Sequence, residues 1–467
     1  MTRNLNKPVI VAAMALSAIA LTGIATPAEA REAPPAGGEP REFRLPTADR
    51  VQLSNGIDVT LVPYGNIPKV TIAVSIPAGN FNEGDKVWLA DPAGDLLTEG
   101  AGSLDSDQLA ARSADMGGEI GVGVGVNRTQ VTLDVLSEYG ADAVGLLGDV
   151  VRRPALPADA FERVRANLLK NLAIARTQPQ SQADEAFREA LFGDHPYGGG
   201  LPDPDAFNAL TVEDVRAFVA DRFGANGTRI YVAGRFDRAA VVDALEKAFG
   251  DWADVEPSLF VRPPQAPAPG VTFIERPDAP QSTINLGLPV IDPTHPDYVP
   301  LSVLNTLLGG SFGSRITSNI REDKGYTYSP RSSVSVRKQS GYWRQVADVT
   351  TNVTGPAIRE ILFEIERLQG EAPPAEELDR IKNYASGIFV LQNATRGALI
   401  GQLQFLDTHG LTRAYLEDYV QRVNAVTPQD IQRLARQYLT VDNMTLVVVG
   451  DPTIVPEQLG ALDLAQN

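Results

Sequence analysis

The sequence predicts an α+β fold made of two similar, duplicated domains, each a mixed or antiparallel sheet packed with helices. A matching helix-then-strand segment closes each half of the chain. Strands and helices occur in groups rather than in strict alternation, which is typical of α+β domains and not of a doubly wound parallel sheet. A Pro-rich stretch, "RPPQAPAPG" at 262–270, lies near the middle of the 467-residue chain and separates the two halves.

The repeated segments are "TVEDVRAFVADRFGANGTRIYVAG" and "TPQDIQRLARQYLTVDNMTLVVVG". In each copy a Thr begins a helix whose apolar residues recur at helical spacing, and a short β-branched strand follows. Three matched pairs keep one constant spacing along the chain: Thr211 with Thr427, Asp214 with Asp430, and Gly234 with Gly450. Duplication of one domain explains this match better than chance similarity between two common helix–strand units.

Each element of the first half is predicted by its own pattern. Apolar and β-branched residues predict two strands joined by a turn within residues 56–79 and another strand within residues 127–139. The helical spacing of apolar residues in "DAFERVRANLLKNLAIART", residues 159–177, predicts a long helix. The first half therefore runs from strands to helices before its closing strand.

The second half repeats this order. "STINLGLP" at 282–289 predicts a strand, and "YVPLSVLNTLL" at 298–308 predicts a helix. "YTYSPRSSVSVR" at 326–337 and "SGYWRQVADVTT" at 340–351 predict a strand pair with a tight turn between them. "PAIREILFEIERL" at 356–368 predicts an amphipathic helix.

These patterns divide the chain into five predicted segments. They are a signal peptide at 1–30, a spacer at 31–47, an N-terminal domain at 48–255, a Pro-rich linker at 256–270, and a C-terminal domain at 271–460.

Residues 1–30 predict an export signal. Arg3 and Lys7 precede the apolar stretch "PVIVAAMALSAIALTGIA", and "AEA" at 28–30 offers the small residues of a signal-peptidase site. An uncleaved anchor is the alternative, because the apolar stretch approaches membrane-spanning length. The absence of cysteine excludes a disulfide framework and a lipid-modified N-terminal Cys. We therefore expect a bacterial periplasmic protein with no membrane span after cleavage.

The charge balance argues against nucleic acid as a partner. Asp and Glu number 58 against 41 Lys and Arg, for a formal net charge of −17. No long basic run is present that would neutralise phosphates. An acidic surface weakly favours basic or extended peptides through long-range steering.

One corner of the sequence carries a candidate binding pair. In "LLGGSFGSRITSNIREDKGYTYSP" at 307–330, Arg321 lies on the last turn of a predicted helix and Tyr328 follows at the predicted start of a strand. This spacing brings both side chains to one corner of the fold. Taken alone, Arg321 is equally a solvated cation favoured at a helix C-terminus, and Tyr328 a half-buried strand aromatic.

The chain resembles the insulinase or pitrilysin family of zinc metallopeptidases, which includes the mitochondrial processing peptidases. The resemblance rests on the duplicated halves, on "GGSFGSRITSNIREDKGYTYS" and on "ALFGDHPYG" at 190–198, and it spans nearly the whole mature chain. It implies a half-clamshell of two peptidase-like domains. It also implies that Arg321 and Tyr328 reach across a cleft to a catalytic domain and hold the substrate backbone or the carbonyl under attack, as oxyanion chemistry requires.

The metal motif of that family is degenerate in this chain. Active members carry H-x-x-E-H on a helix, where two His bind zinc and the Glu is the general base. In the aligned stretch "VWLADPAGDLLTEGAG", Asp91 and Asp95 occupy the His positions and Gly94 occupies that of the base. Where the family supplies a third, acidic ligand, this chain has Asn171 and Leu172. We therefore expect no metal and no cofactor in this chain.

Other catalytic arrangements find little support. A hard cation shared by Asp91, Asp95 and Glu99 is the alternative to a solvated, dipole-favoured helix N-terminus. Cys is absent, and no G-x-S-x-G elbow presents a Ser nucleophile. The three histidines are far apart, each beside Pro or Gly: His195, His295 and His409.

Together these features predict a non-catalytic, substrate-binding subunit of a two-chain periplasmic zinc peptidase. We expect it to be inactive alone and to act with a partner chain of the same family that carries H-x-x-E-H and the zinc. The expected substrates are extended or unfolded peptides bound by strand addition. Two alternatives stay open: a non-enzymatic scaffold, as in the core subunits of respiratory complexes, and a peptide-holding homodimer.

Overall fold

The strands fall into two groups, one in each half of the chain. The computed structural model describes residues 44–264 and 269–462. The strands of the first half are β1 (Asp49–Gln52), β2 (Asp58–Pro63), β3 (Lys69–Ile76), β4 (Gly100–Ala101), β5 (Leu104–Asp105), β6 (Ile120–Val124), β7 (Thr129–Leu136) and β8 (Arg229–Gly234). The strands of the second half are β9 (Gly270–Glu275), β10 (Gln281–Val290), β11 (Arg331–Arg337), β12 (Ser340–Thr350) and β13 (Thr445–Gly450).

The helices also divide between the halves. Those of the first half are α1 (Ala90–Leu96), α2 (Ser106–Asp115), α3 (Gly140–Arg152), α4 (Ala158–Thr177), α5 (Pro179–Phe192), α6 (Pro204–Asn208), α7 (Val212–Arg222) and α8 (Arg238–Phe249). Those of the second half are α9 (Tyr298–Asn305), α10 (Arg315–Thr317), α11 (Thr354–Gly370), α12 (Ala375–Gln392), α13 (Arg396–His409), α14 (Ala414–Glu417), α15 (Tyr419–Ala425), α16 (Pro428–Tyr438) and α17 (Val455–Gly460). Two π-helical turns, Thr306–Gly310 and Ser318–Asp323, follow α9 and α10.

The two sheets share one topology, which confirms the predicted duplicated α+β fold. The first sheet has the order β1-β2-β8-β3-β7-β6, and the second, read in the same direction, has the order β9-β13-β10-β12-β11. Each sheet contains a single parallel pair at the corresponding place, β2 with β8 and β9 with β13, and its other pairs are antiparallel. Among the described residues, strand β1 of the six-stranded sheet has no counterpart in the five-stranded sheet, and β4 and β5 form a separate two-stranded sheet.

The repeated Thr and Asp residues start corresponding helices. Thr211 Oγ1 accepts a hydrogen bond from the Asp214 backbone N–H at 3.2 Å, and the Asp214 carboxylate accepts one from the Thr211 backbone N–H. Thr427 and Asp430 form the same reciprocal box at α16. Each box satisfies two N–H groups that the first helical turn leaves free.

Each half packs one helix on the other half's sheet. On α5, Phe187 and Leu191 are buried with Val447 and Val449 of β13. The corresponding helix α13 covers the first sheet, where its apolar face meets residues of β2, β3 and β8. This exchange adds two shared cores to the separate core of each sheet. The predicted limits of the two domains stay predictions, because a helix of each half packs on the sheet of the other half.

The sequence prediction for the corner was wrong in one detail. Strand β11 begins at Arg331, not at residue 326, and Tyr328 lies in the preceding loop. Gly325 has a φ of +64°, and Pro330 supplies no backbone donor, and both interrupt regular strand pairing along this segment. Thr327 makes only an isolated bridge with Val349.

The predicted signal peptide lies outside the described residues. Among the helices of residues 44–264 and 269–462, none combines the length and apolar composition needed to cross a membrane. Strand β6, "IGVGV", was not predicted, because its two glycines weaken the apolar alternation.

Candidate functional site

Helix α1 carries the residues predicted to be a degenerate metal motif, and it packs against β6. Gly94 is buried in the middle of this helix. An ideal Cβ placed on Gly94 would stand 2.4 Å from Cγ2 of Val124 and 3.5 Å from Cγ1 of Val122. A side chain at this position therefore requires the Val124 side chain to move.

Asp91 belongs to a hydrogen-bonded group at the start of α1. The Asn80 Nδ2 amide donates to Asp91 Oδ2 and to Glu83 Oε1, each at 2.8 Å. The backbone N–H groups of Trp88 and Ala90 also donate to Glu83, both at 2.9 Å. Glu83 thus accepts bonds from the helix entry, and Asn80 joins the two carboxyls.

Both carboxyls of this group resist ionisation. Burial raises the pKa of Glu83 to about 7, although hydrogen bonds from Ala90 and Asn80 favour the charged form. Burial also raises the pKa of Asp91 against the bond from Asn80, and the charge of Asp95 raises it further. The oxygens of this pair already accept hydrogen bonds from Asn80 and from the backbone at the start of α1.

The remaining motif positions do not complete a metal site. Glu99 forms an ion pair with Arg163 of α4, with 2.7 Å between Oε2 and Nη2. At the third-ligand positions Asn171 is exposed and Leu172 is buried. No group of three or more His, Cys, Asp or Glu residues in the described part of the chain is placed to share a metal. These donors do not fit zinc, which prefers His and Cys.

Arg321 lies between two exposed aromatic rings in the corner formed by residues 307–330. Its guanidinium carbon stands 4.2 Å from the ring centre of Phe312 and 5.2 Å from that of Tyr328. Phe312 is 70% exposed and Tyr328 is 82% exposed, so neither ring serves the core. Arg321 also meets Glu322 at 3.3 Å on its solvent side. The two rings hold the guanidinium in place at the surface.

These three side chains line an open cavity of about 320 Å³. Tyr384 of α12 forms another part of the wall, and Gly309 and Gly310 form its floor. Phe312 and Tyr384 were not predicted from the sequence. The Gly-flanked position of Phe312 within the corner motif was the available signal, whereas nothing in the local pattern distinguishes Tyr384 from other aromatic residues.

A buried ion pair fixes the corner to α12. Arg315 Nε donates to Glu377 Oε1 at 2.8 Å and its Nη2 donates to Glu377 Oε2 at 2.7 Å. The Arg315 side chain is only 9% exposed, so this fork geometry is shielded from water. The pair holds α10, which leads into Arg321, against the helix that carries Tyr384.

The "HPYG" residues join the halves instead of extending either candidate region. His195 Nε2 lies 3.0 Å from the Val261 carbonyl oxygen in the linker. The Tyr197 hydroxyl contacts Asn127 Oδ1 at 3.1 Å and donates to the Lys338 carbonyl at 3.2 Å. These contacts tie together the β6–β7 turn, the β11–β12 turn and the linker.

The other two histidines lie elsewhere. His295 and His409 line a separate cavity of about 840 Å³ that is formed by the linker and the second half of the chain. The cavity beside α1 and the cavity beside Arg321 share no lining residue. The degenerate motif and the Arg321 corner are thus separate regions of the chain.

Two family models together match most of the chain. The model described as insulinase (peptidase family M16) matches residues 60–205, and the model described as peptidase M16 inactive domain matches residues 209–384. The chain belongs to the insulinase family. Its degenerate α1 lies in the part matched by the first model, and Arg321 and Tyr328 lie in the part matched by the second.

Several relatives support this membership of the insulinase family. An uncharacterized zinc protease of Mycobacterium bovis is 24% identical over 429 residues, covering 88% of this chain and 96% of the relative. An uncharacterized zinc protease of Bacillus subtilis is 22% identical over 405 residues, covering 84% of this chain and 96% of the relative.

Solved structures share the fold. The peptidase M16 inactive domain from Pseudomonas fluorescens superposes with a TM-score of 0.80 at 24% identity, covering 86% of this chain and 98% of that one. A protease from Helicobacter pylori superposes with a TM-score of 0.81 at 19% identity, covering 87% of this chain and all of that one.

Proposed function

We propose that this insulinase-family chain is the substrate-binding, non-catalytic subunit of a two-chain zinc peptidase in the bacterial periplasm. The partner is a chain of the same family that carries H-x-x-E-H and supplies the metal and the base. This chain supplies Arg321 and Tyr328. The substrates are extended or unfolded peptides.

One contrast within the chain supports this proposal most strongly. An added side chain at Gly94 would meet Val124 and the donors near α1 do not fit zinc, whereas Arg321 is ordered by Phe312 and Tyr328 at an open cavity. Exposed aromatic rings around an arginine contribute nothing to a core. Their arrangement suits a binding role in trans.

The first test is reconstitution with the partner. We expect the purified chain alone to bind no stoichiometric zinc and to cleave no fluorogenic peptide, and we expect activity when a co-purifying H-x-x-E-H chain is added. Tight zinc at one per chain with chelator-sensitive turnover would sink the proposal. Recovery in a large membrane assembly would favour the scaffold, and self-association alone would favour the peptide holder.

The second test replaces the corner residues in the reconstituted pair. Arg321→Ala or Tyr328→Phe should lower turnover by about a hundredfold to a thousandfold if the side chains stabilise the transition state. If they hold the substrate backbone equally in both states, KM rises and kcat is kept. Arg112→Gln on α2, where the side chain is 48% exposed, serves as the matched control.

Melting of the isolated variants completes this test. We expect unchanged melting, since neither residue belongs to a core cluster. Unchanged kinetics with both residues replaced would leave the corner as an ordinary helix end.

A further inference from the structure

The Arg321 cavity is positively charged although the chain as a whole carries a net charge of −17. Its charged lining residues are Arg321 and Arg331, and no Asp or Glu lines it. Three aromatic side chains, Phe312, Tyr328 and Tyr384, form much of the remaining wall. Two like charges at one cavity attract an anionic group more strongly than either charge alone.

Arg331 is the second cation that lines this cavity. It is exposed and is the first residue of β11. Within the described ranges, its guanidinium makes no ion pair and no side-chain hydrogen bond. Most other arginines in the described part of this acidic chain form an ion pair with a carboxylate, as Arg315 does with Glu377. An unpaired guanidinium beside a second arginine is a favourable setting for an anionic group from outside.

Strand β11 leads away from this cavity with an open backbone edge. It is the terminal strand of the second sheet, so one of its edges pairs with no other strand of the described sheet. Arg337 ends the seven-residue strand and lies on the same face as Arg331, about 20 Å away at the usual strand rise. Lys338 follows directly in the turn. The edge therefore has cations at both ends.

We propose that this edge and the Arg321 cavity select extended peptides carrying a carboxylate, which Arg331 binds together with Arg321. The inference deepens the proposed function, on which it rests, by naming the substrate class. The peptide adds to the open edge of β11 and places its carboxylate between the two guanidinium groups. Glu322 is the nearest competitor, but its side chain is 56% exposed and its contact with Arg321 is 3.3 Å, so solvent weakens this pair.

This preference is opposite to the one that the total charge suggests. A net charge of −17 favours basic peptides at distances where the whole surface acts together. At contact distance the nearby charges dominate, because salt screens charges farther away than about 8 Å at physiological ionic strength. Arg321 and Arg331 therefore decide selection once a peptide reaches the edge.

The test uses the isolated full chain and labelled peptides of about ten residues with β-forming sequences, measured by fluorescence anisotropy. Three peptides with blocked ends differ only in a central Glu, Gln or Lys. We expect the Glu peptide to bind about tenfold more tightly than the Gln peptide, and the Lys peptide to bind most weakly. Added salt should reduce the difference between them.

Arg331→Gln isolates the new residue. It should remove most of the preference for Glu over Gln while leaving the affinity for the Gln peptide unchanged, because the exposed side chain carries little packing. Arg112→Gln makes the same change of charge on α2 and should leave both affinities as they are. Circular dichroism of both variants checks that the fold is kept.

A fourth peptide, with central Gln and a free C-terminus, separates the two sources of a carboxylate. A gain confined to this peptide supports recognition of a C-terminal carboxylate, and a gain with internal Glu supports an acidic side chain. Equal affinity for all four peptides, or a Glu preference that survives in Arg331→Gln, overturns the inference. Equal affinities would still leave the proposed subunit function standing, whereas absence of an H-x-x-E-H partner would reject that function without changing this measurement.

Discussion

Gly94 links the missing base to the packing of the fold. The position that carries a Glu in active members here has no side chain, and the Val124 side chain of β6 occupies the space that a Cβ would need. Restoring the H-x-x-E-H residues one by one therefore meets a steric barrier as well as a chemical one. The change is built into the core and not confined to the surface.

Gly94→Ala should destabilise the protein by about 1–3 kcal/mol through overpacking against Val124. The matched control is Gly145→Ala in α3, where nothing lies within 4 Å of an added Cβ. That change should stabilise by about 0.5–1 kcal/mol, because Ala favours a helix interior. Urea unfolding measures both, and equal effects of the two substitutions would contradict the steric account.

Glu83 should make stability depend on pH. Its pKa is raised from the usual 4.5 to about 7 in the folded chain. Between these two pH values the folded state keeps a proton that the unfolded state has released. Stability is then fullest below pH 4.5 and falls as pH rises through 7, by at most about 3 kcal/mol.

Glu83→Gln should flatten this part of the stability profile, measured by thermal melting between pH 5 and pH 8. The variant also loses part of the bonding to Trp88 and Ala90, so the slope and not the absolute melting temperature is the test. Glu376→Gln, at a side chain that is 90% exposed, is the control and should keep the wild-type slope. Identical slopes for all three proteins would show that Glu83 ionises normally.

At the scale of elements, the exchanged helices are held by corresponding polar contacts. At the start of α13, Arg396 Nη2 donates to Asp134 Oδ1 at 2.9 Å, and Asp134 lies opposite Thr71 in the first sheet. At the start of α5, Gln180 Nε2 donates to Asp348 Oδ2 at 3.0 Å in the second sheet. The duplication therefore extends to the side chains that position each exchanged helix.

Arg396→Ala should lower stability by about 1–2 kcal/mol, because Asp134 loses a charged donor at a partly exposed site. Burial alone would raise the pKa of Asp134, but hydrogen bonds from Thr71, Lys69 and Arg396 hold it below its usual value. The contribution of this contact to the stability is therefore fully present above the pKa that Asp134 has in the unfolded chain. It is lost as pH falls through the pKa of Asp134 in the folded chain.

Arg380→Ala is the control for the effect of Arg396→Ala on stability. Arg380 is 66% exposed and pairs only along α12 with Glu376, so its loss should change stability by less than about 0.5 kcal/mol. Chemical denaturation at neutral pH measures both variants. A cost for Arg396→Ala no larger than that for Arg380→Ala would mean that α13 is held by its apolar face alone.

At the scale of the whole molecule, the two halves should stay together after the chain is cut between them. Brief digestion with a nonspecific protease should cut first in the Pro-rich linker, since exposed linkers open at least cost. The exchanged helices α5 and α13 should then keep both fragments in one species on size-exclusion chromatography. Early cutting within 290–330, or separation of the fragments without denaturant, would contradict this expectation.

The first part of the linker contacts the N-terminal half of the chain, which restricts where the protease is expected to cut. Phe260 stacks on Phe81 with 5.3 Å between ring centres, and the Val261 carbonyl contacts His195. We therefore expect cleavage after Val261 and not at the start of the linker. Mass spectrometry of the first fragments locates it.

The sequence by itself predicted the duplicated fold, the helix caps at Thr211 and Thr427, and the degenerate motif at Asp91, Gly94 and Asp95. These features depend on neighbours a few residues away, because helix caps, strand alternation and motif spacing are local. The family resemblance followed from the same short stretches.

Only the tertiary structure decided what surrounds those residues. The contact of Gly94 with Val124, the meeting of Phe312 with Arg321 and Tyr384, and the exchange of α5 and α13 join parts of the chain that local patterns treat separately. Even the start of β11 was missed, because Pro330 and Gly325 outweigh the β-forming residues around Tyr328. Packing between distant segments follows from shape and burial over the whole fold, which no short sequence window contains.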